Sequence, residues 1–156
     1  KLVLCDGLAS VSRKDADTII IAGMGGEVIS GIISRAPFLR DKTVSLILQP
    51  TTAAKELRQF LAKNGFAVEL ERVITENQKI YSIMCARYCG KPYDISDTQS
   101  AIGILKPIDE DSRKYIQKQH RIAQKCANDL SCVPHKKEEY NYYFNLSKDL
   151  KNILGG

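Results

Sequence analysis

Thr18-Ile19-Ile20-Ile21-Ala22-Gly23-Met24-Gly25-Gly26 is the stretch that decides the fold. Its first five residues form an apolar, β-branched run that reads as a strand covered on both faces, as parallel sheets require. Three glycines in the next four positions remove the Cβ atoms that would hold a ligand off the backbone. Residues 27–35 then read as a helix with Val28, Ile29, Ile32 and Ile33 on one side, so the glycines sit where a helix begins with unpaired N–H groups. A tight strand-to-helix turn with no ligand is the alternative reading of the same residues.

Working outward, Lys1-Leu2-Val3-Leu4-Cys5 reads as the end of a strand, followed by Asp6-Gly7-Leu8 as a turn into a short helix. The chain opens on Lys1 with no cap or turn before this strand, so the expectation is a fragment whose upstream part is missing. Residues 1–16 should then be mobile, repacked or completed by another chain. Downstream, residues 43–48 form a second buried strand ended by Gln49-Pro50. A helix opens after Thr51-Thr52, with Leu57, Phe60 and Leu61 inward, and closes at Asn64-Gly65. Strand, helix, strand, helix is the order of a doubly wound α/β layer.

The order changes at Phe66. Residues 66–74 alternate apolar and polar through their first half, a polar turn occupies 75–79, and residues 80–87 form a last strand. So short a connection has no room for a crossover helix, which makes the pair antiparallel. An α/β sheet that finishes in this way is a partial Rossmann-like class I methyltransferase sheet. Beyond it, residues 109–130 and 136–154 read as two helices that fold back on each other as a C-terminal α-helical hairpin. Ile116, Ala123, Ala127 and Leu130 form one apolar stripe, and Tyr140, Tyr143, Phe144, Leu150 and Leu154 its partner. The expected organisation is a sheet domain over residues 1–90 and a helical, coiled-coil-like domain over 91–156, with 90–108 as linker.

Composition excludes several classes. The 156 residues are 44% hydrophobic and 26% charged, which is ordinary globular usage and argues against a disordered or collagen-like chain. No apolar run approaches the roughly 20 residues that span a bilayer, and nothing marks the chain for export, so the expected location is cytoplasmic with no membrane partner. Five cysteines at irregular spacing read as reduced thiols, and no metal site is expected. The net charge of +5 is spread evenly, with 13 basic and 10 acidic residues in 1–94 and 10 and 8 in 95–156. Within the first C-terminal helix, however, Lys114, Lys118, Arg121 and Lys125 recur at spacings that stack them on one face. Such a row is either a solvated helix face or a stripe that binds phosphates.

Ligands of open α/β sheets bind beyond the carboxyl ends of the strands. The residues there are Cys5-Asp6-Gly7, Gly23-Met24-Gly25-Gly26 and Gln49-Pro50-Thr51. Asp6 could accept hydrogen bonds from an exocyclic amine such as that of adenine, or could simply start a turn. A nicotinamide-dependent oxidoreductase would want Gly or Ala in place of Val28 and an acidic residue in place of Gln49. No Ser-His-Asp set, carboxylate pair or Walker loop stands out, which favours a reaction driven by positioning.

The stretch from Asp6-Gly7-Leu8 through Ala22-Gly23-Met24-Gly25-Gly26, then Leu46-Ile47-Leu48-Gln49-Pro50, Leu57-Arg58, and Thr75-Glu76 before Lys79-Ile80-Tyr81, resembles the bacterial tRNA adenine-22 N1-methyltransferases, the TrmK family. The C-terminal hairpin is similar to that family's appended coiled-coil-like domain. The resemblance implies S-adenosylmethionine as cofactor, tRNA as partner and N1 of an adenine as methyl acceptor. It implies that Asp6, Gly7, Gly23 and Met24 contact the cofactor. Gly23, Met24, Gly25 and Gly26 would line the gap between the sulfonium methyl and the base, and Gln49 and Pro50 would flank that base. Lys114, Lys118, Arg121 and Lys125 would hold tRNA phosphates. Thr51 stands where the family often has Asn, and Ser82 where Glu commonly follows the Tyr. The family's first cofactor-binding motif is absent from these residues, so the chain alone is expected to bind cofactor poorly and to be inactive. The rival readings are a non-catalytic RNA-binding protein on the same scaffold and the oxidoreductase.

Overall fold

Parallel pairing of β1 (Thr18–Met24) with β2 (Ser45–Pro50) founds the sheet in the computed structural model, which describes residues 2–155. The helix α1 (Gly26–Ser34) joins these strands, and α2 (Ala54–Lys63) leads on to β3 (Phe66–Glu76) and β4 (Lys79–Tyr88). The strand order is β1-β2-β4-β3. β4 runs antiparallel to β2, with Leu46 opposite Ala86 and Leu48 opposite Met84. A two-residue turn joins β3 to β4, and its residues Asn77 and Gln78 both have positive φ, 49° and 65°. Positive φ at both central residues matches the turn to the right-handed twist of the strands it joins.

The sheet is held by the period of its own residues. Ile19 and Ile21 of β1, Leu46 and Leu48 of β2, and Met84 and Ala86 of β4 are buried with Ile29, Ile32 and Ile33 of α1 and Leu57 and Leu61 of α2. Each large apolar side chain in this set contributes about 1.5–3 kcal/mol by leaving water.

Three expectations need correction here. β1 is covered on one face only: Ile20 is 67% exposed, because β1 is the edge of the sheet and α1 buries the side that carries Ile19 and Ile21. Val28 of α1 is exposed rather than inward, since the buried stripe is set by Ile29, Ile32 and Ile33. Residues 2–5 are not a strand, because no neighbouring strand offers them a ladder; Leu2 and Leu4 are exposed, and Lys1 lies outside the described residues. The segment that follows packs as turns, with Leu8, Val11 and Ala16 against the core. Arg13 fastens it, bonding Asp17 at 2.6 Å, Thr43 Oγ1 at 2.7 Å and Asp41 at 3.2 Å.

A buried polar cluster ties α2 to the two hairpin strands. Arg58 Nη2 donates to Glu71 Oε1 at 2.5 Å, and the Ser82 hydroxyl donates to the same oxygen at 2.8 Å. The two charged side chains are 2% and 0% exposed. Ser82 is thus part of a buried ion-pair cluster, its hydroxyl committed to Glu71.

The chain divides into two compact units, the first running to Arg72 and resuming over Tyr81–Ile95, the second made of Val73–Ile80 and the chain from Ser96 onward. The hairpin tip, which the division at residue 90 did not separate, belongs to the second unit because Val73 and Ile80 pack in its core. The expected linker is also partly helical. α3 (Asp97–Ile102) opens on a capping box in which Ser96 Oγ accepts from the Gln99 N–H and the Ser96 N–H donates to Gln99 Oε1. Its Ala101 and Ile102 are buried with Leu105.

α4 (Glu110–Leu130) and α5 (Lys137–Gly155) complete the second unit. Arg113 Nη1 donates to the Leu154 carbonyl at 3.2 Å, and His120 Nδ1 lies 3.0 Å from the Ser147 carbonyl. Seven residues forward in α4 therefore match seven residues back in α5, the register of an antiparallel coiled coil. Leu146, Leu150, Ile116 and Ala123 are buried along the seam. Phe144, expected inward, is 50% exposed; Leu146 takes the buried position instead. Among the described residues no helix is long and apolar enough to cross a membrane, and no group of three or more His, Cys, Asp or Glu side chains could hold a metal ion.

Candidate functional site

The two loops at the carboxyl ends of β1 and β2 are locked together. The strands pair residue for residue up to Ala22 opposite Gln49, then Met24 pairs with Pro50, which leaves Gly23 as the extra residue of a bulge. A bulge residue loses its ladder partner. Here the Gln49 side chain replaces it, with Oε1 accepting from the Gly23 N–H at 2.9 Å. The next bonds continue the link: Thr51 N–H donates to the Met24 carbonyl and Gly26 N–H to the Thr52 carbonyl, both at 2.9 Å.

The glycines have distinct roles. Gly23 has φ +76°, and a Cβ there would meet nothing within 4 Å, so its backbone is open to a ligand. A Cβ on Gly26 would collide with the carbonyl of Ala53 and stand 3.2 Å from Leu57 Cβ. Gly26 is therefore buried scaffolding that lets the α2 entrance approach α1. Ala53, the N-cap of α2, has φ 54°, a left-handed conformation that costs a non-glycine residue about 1 kcal/mol or more.

Of the residues expected to act at this site, Gly23 and Met24 are exposed, Gly25 is half-buried, and Gly26 and Pro50 are buried. Gln49 is half-buried, with its oxygen committed to Gly23. Pro50 thus supports the loop and offers no open surface to a base. Asp6 and Gly7 are not brought to this place. A Cβ on Gly7 would lie 3.2 Å from Ile32, and Asp6 pairs with Arg35 at 3.6 Å. Both contacts fall in the far half of α1, Ile32 being about 9 Å along the axis from Gly26 at 1.5 Å per residue. Their placement gives no support to a cofactor contact. Thr52 and Ala53 were missed by sequence reasoning; an alanine carries no signal for a left-handed residue.

The strand-end loops contain no titratable side chain over residues 23–26 or 49–52. What they offer is approachable backbone at Gly23 and Met24 beside the start of α1. That suits an extended organic ligand with its own reactive group, and S-adenosylmethionine is such a ligand.

On α4, Lys114, Lys118, Arg121 and Lys125 are all exposed. Lys114 is bonded to Glu110 at 2.6 Å, and that carboxylate holds its ammonium pKa above the ordinary lysine value. The row is therefore partly neutralised at its N-terminal end. Among the described residues no ion pair is recorded for the other three.

A family model for tRNA (adenine(22)-N(1))-methyltransferases, TrmK, matches residues 1–153. The tRNA (adenine(22)-N(1))-methyltransferase of Bacillus subtilis strain 168 is 36% identical over 81 residues, 52% of this chain and 34% of that protein. The chain thus matches about a third of the length of that relative. The crystal structure of the B. subtilis m1A22 tRNA methyltransferase superposes with a TM-score of 0.77 at 26% identity, covering 96% of this chain and 68% of that one. A Streptococcus pneumoniae putative tRNA (m1A22) methyltransferase in complex with S-adenosyl-L-methionine gives 0.73 at 26% identity, covering 97% and 67%.

Proposed function

Because the chain belongs to the TrmK family of tRNA (adenine(22)-N(1))-methyltransferases, we propose that it serves methyl transfer from S-adenosylmethionine to N1 of an adenine in tRNA, in the cytoplasm. The observation that carries the reading is the bulge at Gly23 pinned by Gln49, which holds two strand-end loops as one surface. Bound S-adenosylmethionine would supply an electrophilic methyl group on a sulfonium sulfur. Gly23 and Met24 would line it, and Gly25 would leave room for the incoming base.

Little is asked of side chains. Neutral adenine has a lone pair at N1, so no base is needed to create the nucleophile, and loops without titratable groups suffice. Their task is to align N1 with the methyl and sulfur. N1 lies on the Watson–Crick edge, so a paired target must first leave its stem. Lys118, Arg121 and Lys125 would hold phosphates of the RNA, with Lys114 contributing less because Glu110 already engages it.

The test incubates the chain, alone and within its complete open reading frame, with unmodified tRNA and methyl-labelled S-adenosylmethionine, and maps the modified base. Label at adenine N1 with the complete reading frame is the expected result. Label on another atom, or none with either protein, would overturn the reading.

A further inference from the structure

We propose that the closed end of the α4–α5 hairpin is a second RNA contact, a cleft that takes an unpaired nucleobase against Tyr140 and its phosphate on Lys137. The proposal rests on the RNA reading above and names a contact distinct from the cationic row on α4. Its starting point is an aromatic side chain in an unexpected place. Phe144 is half exposed, yet its ring is stacked on that of Tyr140, with centroids 5.7 Å apart and planes 24° from parallel. Tyr140 is half-buried, so the pair forms an apolar wall only partly covered by the protein.

That wall adjoins a cleft of about 370 Å³ at the turn between the helices. Leu130, Val133, Pro134 and Tyr140 give it apolar sides. Ser131 and Asn141 add hydrogen-bonding groups, and among the residues that line it Lys137 carries the one charge. The neighbouring cation Lys136 is held by Glu139 at 3.3 Å, which leaves Lys137 as the cation directed to this cleft. A ring face, polar edges and a single cation without a lining carboxylate match the parts of one nucleotide: base face, base edge and phosphate. Proteins that bind single-stranded RNA stack bases on aromatic side chains in this way, whereas a paired helix keeps its bases stacked on each other.

The experiment measures binding of the chain to a labelled short oligoadenylate and to a blunt RNA duplex, by fluorescence anisotropy across a salt series. Tyr140→Leu keeps apolar volume but removes the ring, and should weaken oligoadenylate binding roughly tenfold while leaving the duplex unchanged. Tyr140→Phe should bind like the parent. Phe144→Leu, at a half-exposed position, removes the ring that backs Tyr140 and should also weaken oligoadenylate binding, which covers the case in which Tyr140→Leu loses helix by circular dichroism. Lys137→Ala should lower the salt dependence by about one phosphate contact.

Unchanged oligoadenylate binding by Tyr140→Leu or Phe144→Leu overturns the proposal. If the triple variant Lys118→Ala, Arg121→Ala, Lys125→Ala then abolishes binding, the cleft has failed and the cationic row stands. If the parent binds neither RNA, the RNA reading has failed and the cleft falls with it.

Discussion

The Gly23 N–H and the Gln49 side-chain oxygen, 26 residues apart in sequence, meet at 2.9 Å across the ends of two parallel strands. A side chain thereby completes a backbone ladder that the bulge interrupts. Gln49→Leu should leave the Gly23 donor to water and cost roughly 0.5–1.5 kcal/mol in urea unfolding. Gln49→Glu retains an acceptor and should recover most of that loss. If the two variants are equally stable, the bond does not hold the loops.

Gly23 and Gly26 should respond to alanine for different reasons. Gly23→Ala meets open space but must adopt φ +76°, a cost of about 1–2 kcal/mol. Gly26→Ala drives a methyl into the Ala53 carbonyl, and moving that backbone should cost about 1–3 kcal/mol. Pairing Gly26→Ala with Ala53→Gly, which frees the left-handed residue, should recover part of the loss; the chemical denaturation midpoints of the single and double variants check this.

Arg58 and Glu71 share a buried site with Ser82. Removing one charge leaves the other buried, so Glu71→Leu alone should destabilise by about 3–5 kcal/mol. Arg58→Met with Glu71→Leu should be less damaging than either single change, since an apolar pair replaces a dehydrated one. A double-mutant cycle reads the difference directly. Additive losses would mean that the two side chains do not depend on each other.

Much of this was legible in the sequence and some was not. The β-branched run at 18–22, the glycines after it and the alternation beyond Phe66 specify strand, helix and hairpin through local period alone. Exposure of Ile20 and Phe144 depends on which neighbours cover them, and period does not carry that. Residues 2–5 look like a strand by composition, yet a strand exists only where another offers a ladder. Asp6 and Gly7 share a turn whose sequence does not say which end of α1 it will meet. α3 was readable in principle, since Ser96 and Gln99 have the spacing of a capping box.

Asp41 offers a pH test. Hydrogen bonds from the Thr43 hydroxyl and N–H, and then the Arg13 guanidinium, hold its carboxyl pKa below the ordinary value of 3.8. A depressed carboxyl contributes stability that is fully present above the unfolded-state pKa and is lost as pH falls through the folded one. The loss should therefore begin near pH 4 and continue below it. Thr43→Val removes the hydroxyl donor and should move the Asp41 titration, followed by carboxyl-carbon NMR, back toward 3.8. An unmoved titration would assign the shift to the Thr43 N–H and Arg13.

The cationic row on α4 sets the salt dependence expected of tRNA binding. Counterion release scales with the number of phosphates neutralised, with a slope of about −0.9 per contact on B-form DNA and −0.7 on single strands. Lys118, Arg121 and Lys125 are exposed on one face, so each replacement by alanine should reduce the salt slope of tRNA binding by nearly one. Lys114 enters the complex already paired with Glu110, and binding a phosphate must displace that carboxylate. Lys114→Ala should therefore change the slope less than Arg121→Ala does, and Glu110→Gln should tighten tRNA binding at low salt. Equal slopes for Lys114→Ala and Arg121→Ala would mean that the ion pair does not compete with RNA. A slope unchanged in all four alanine variants would mean that this face is simply solvated.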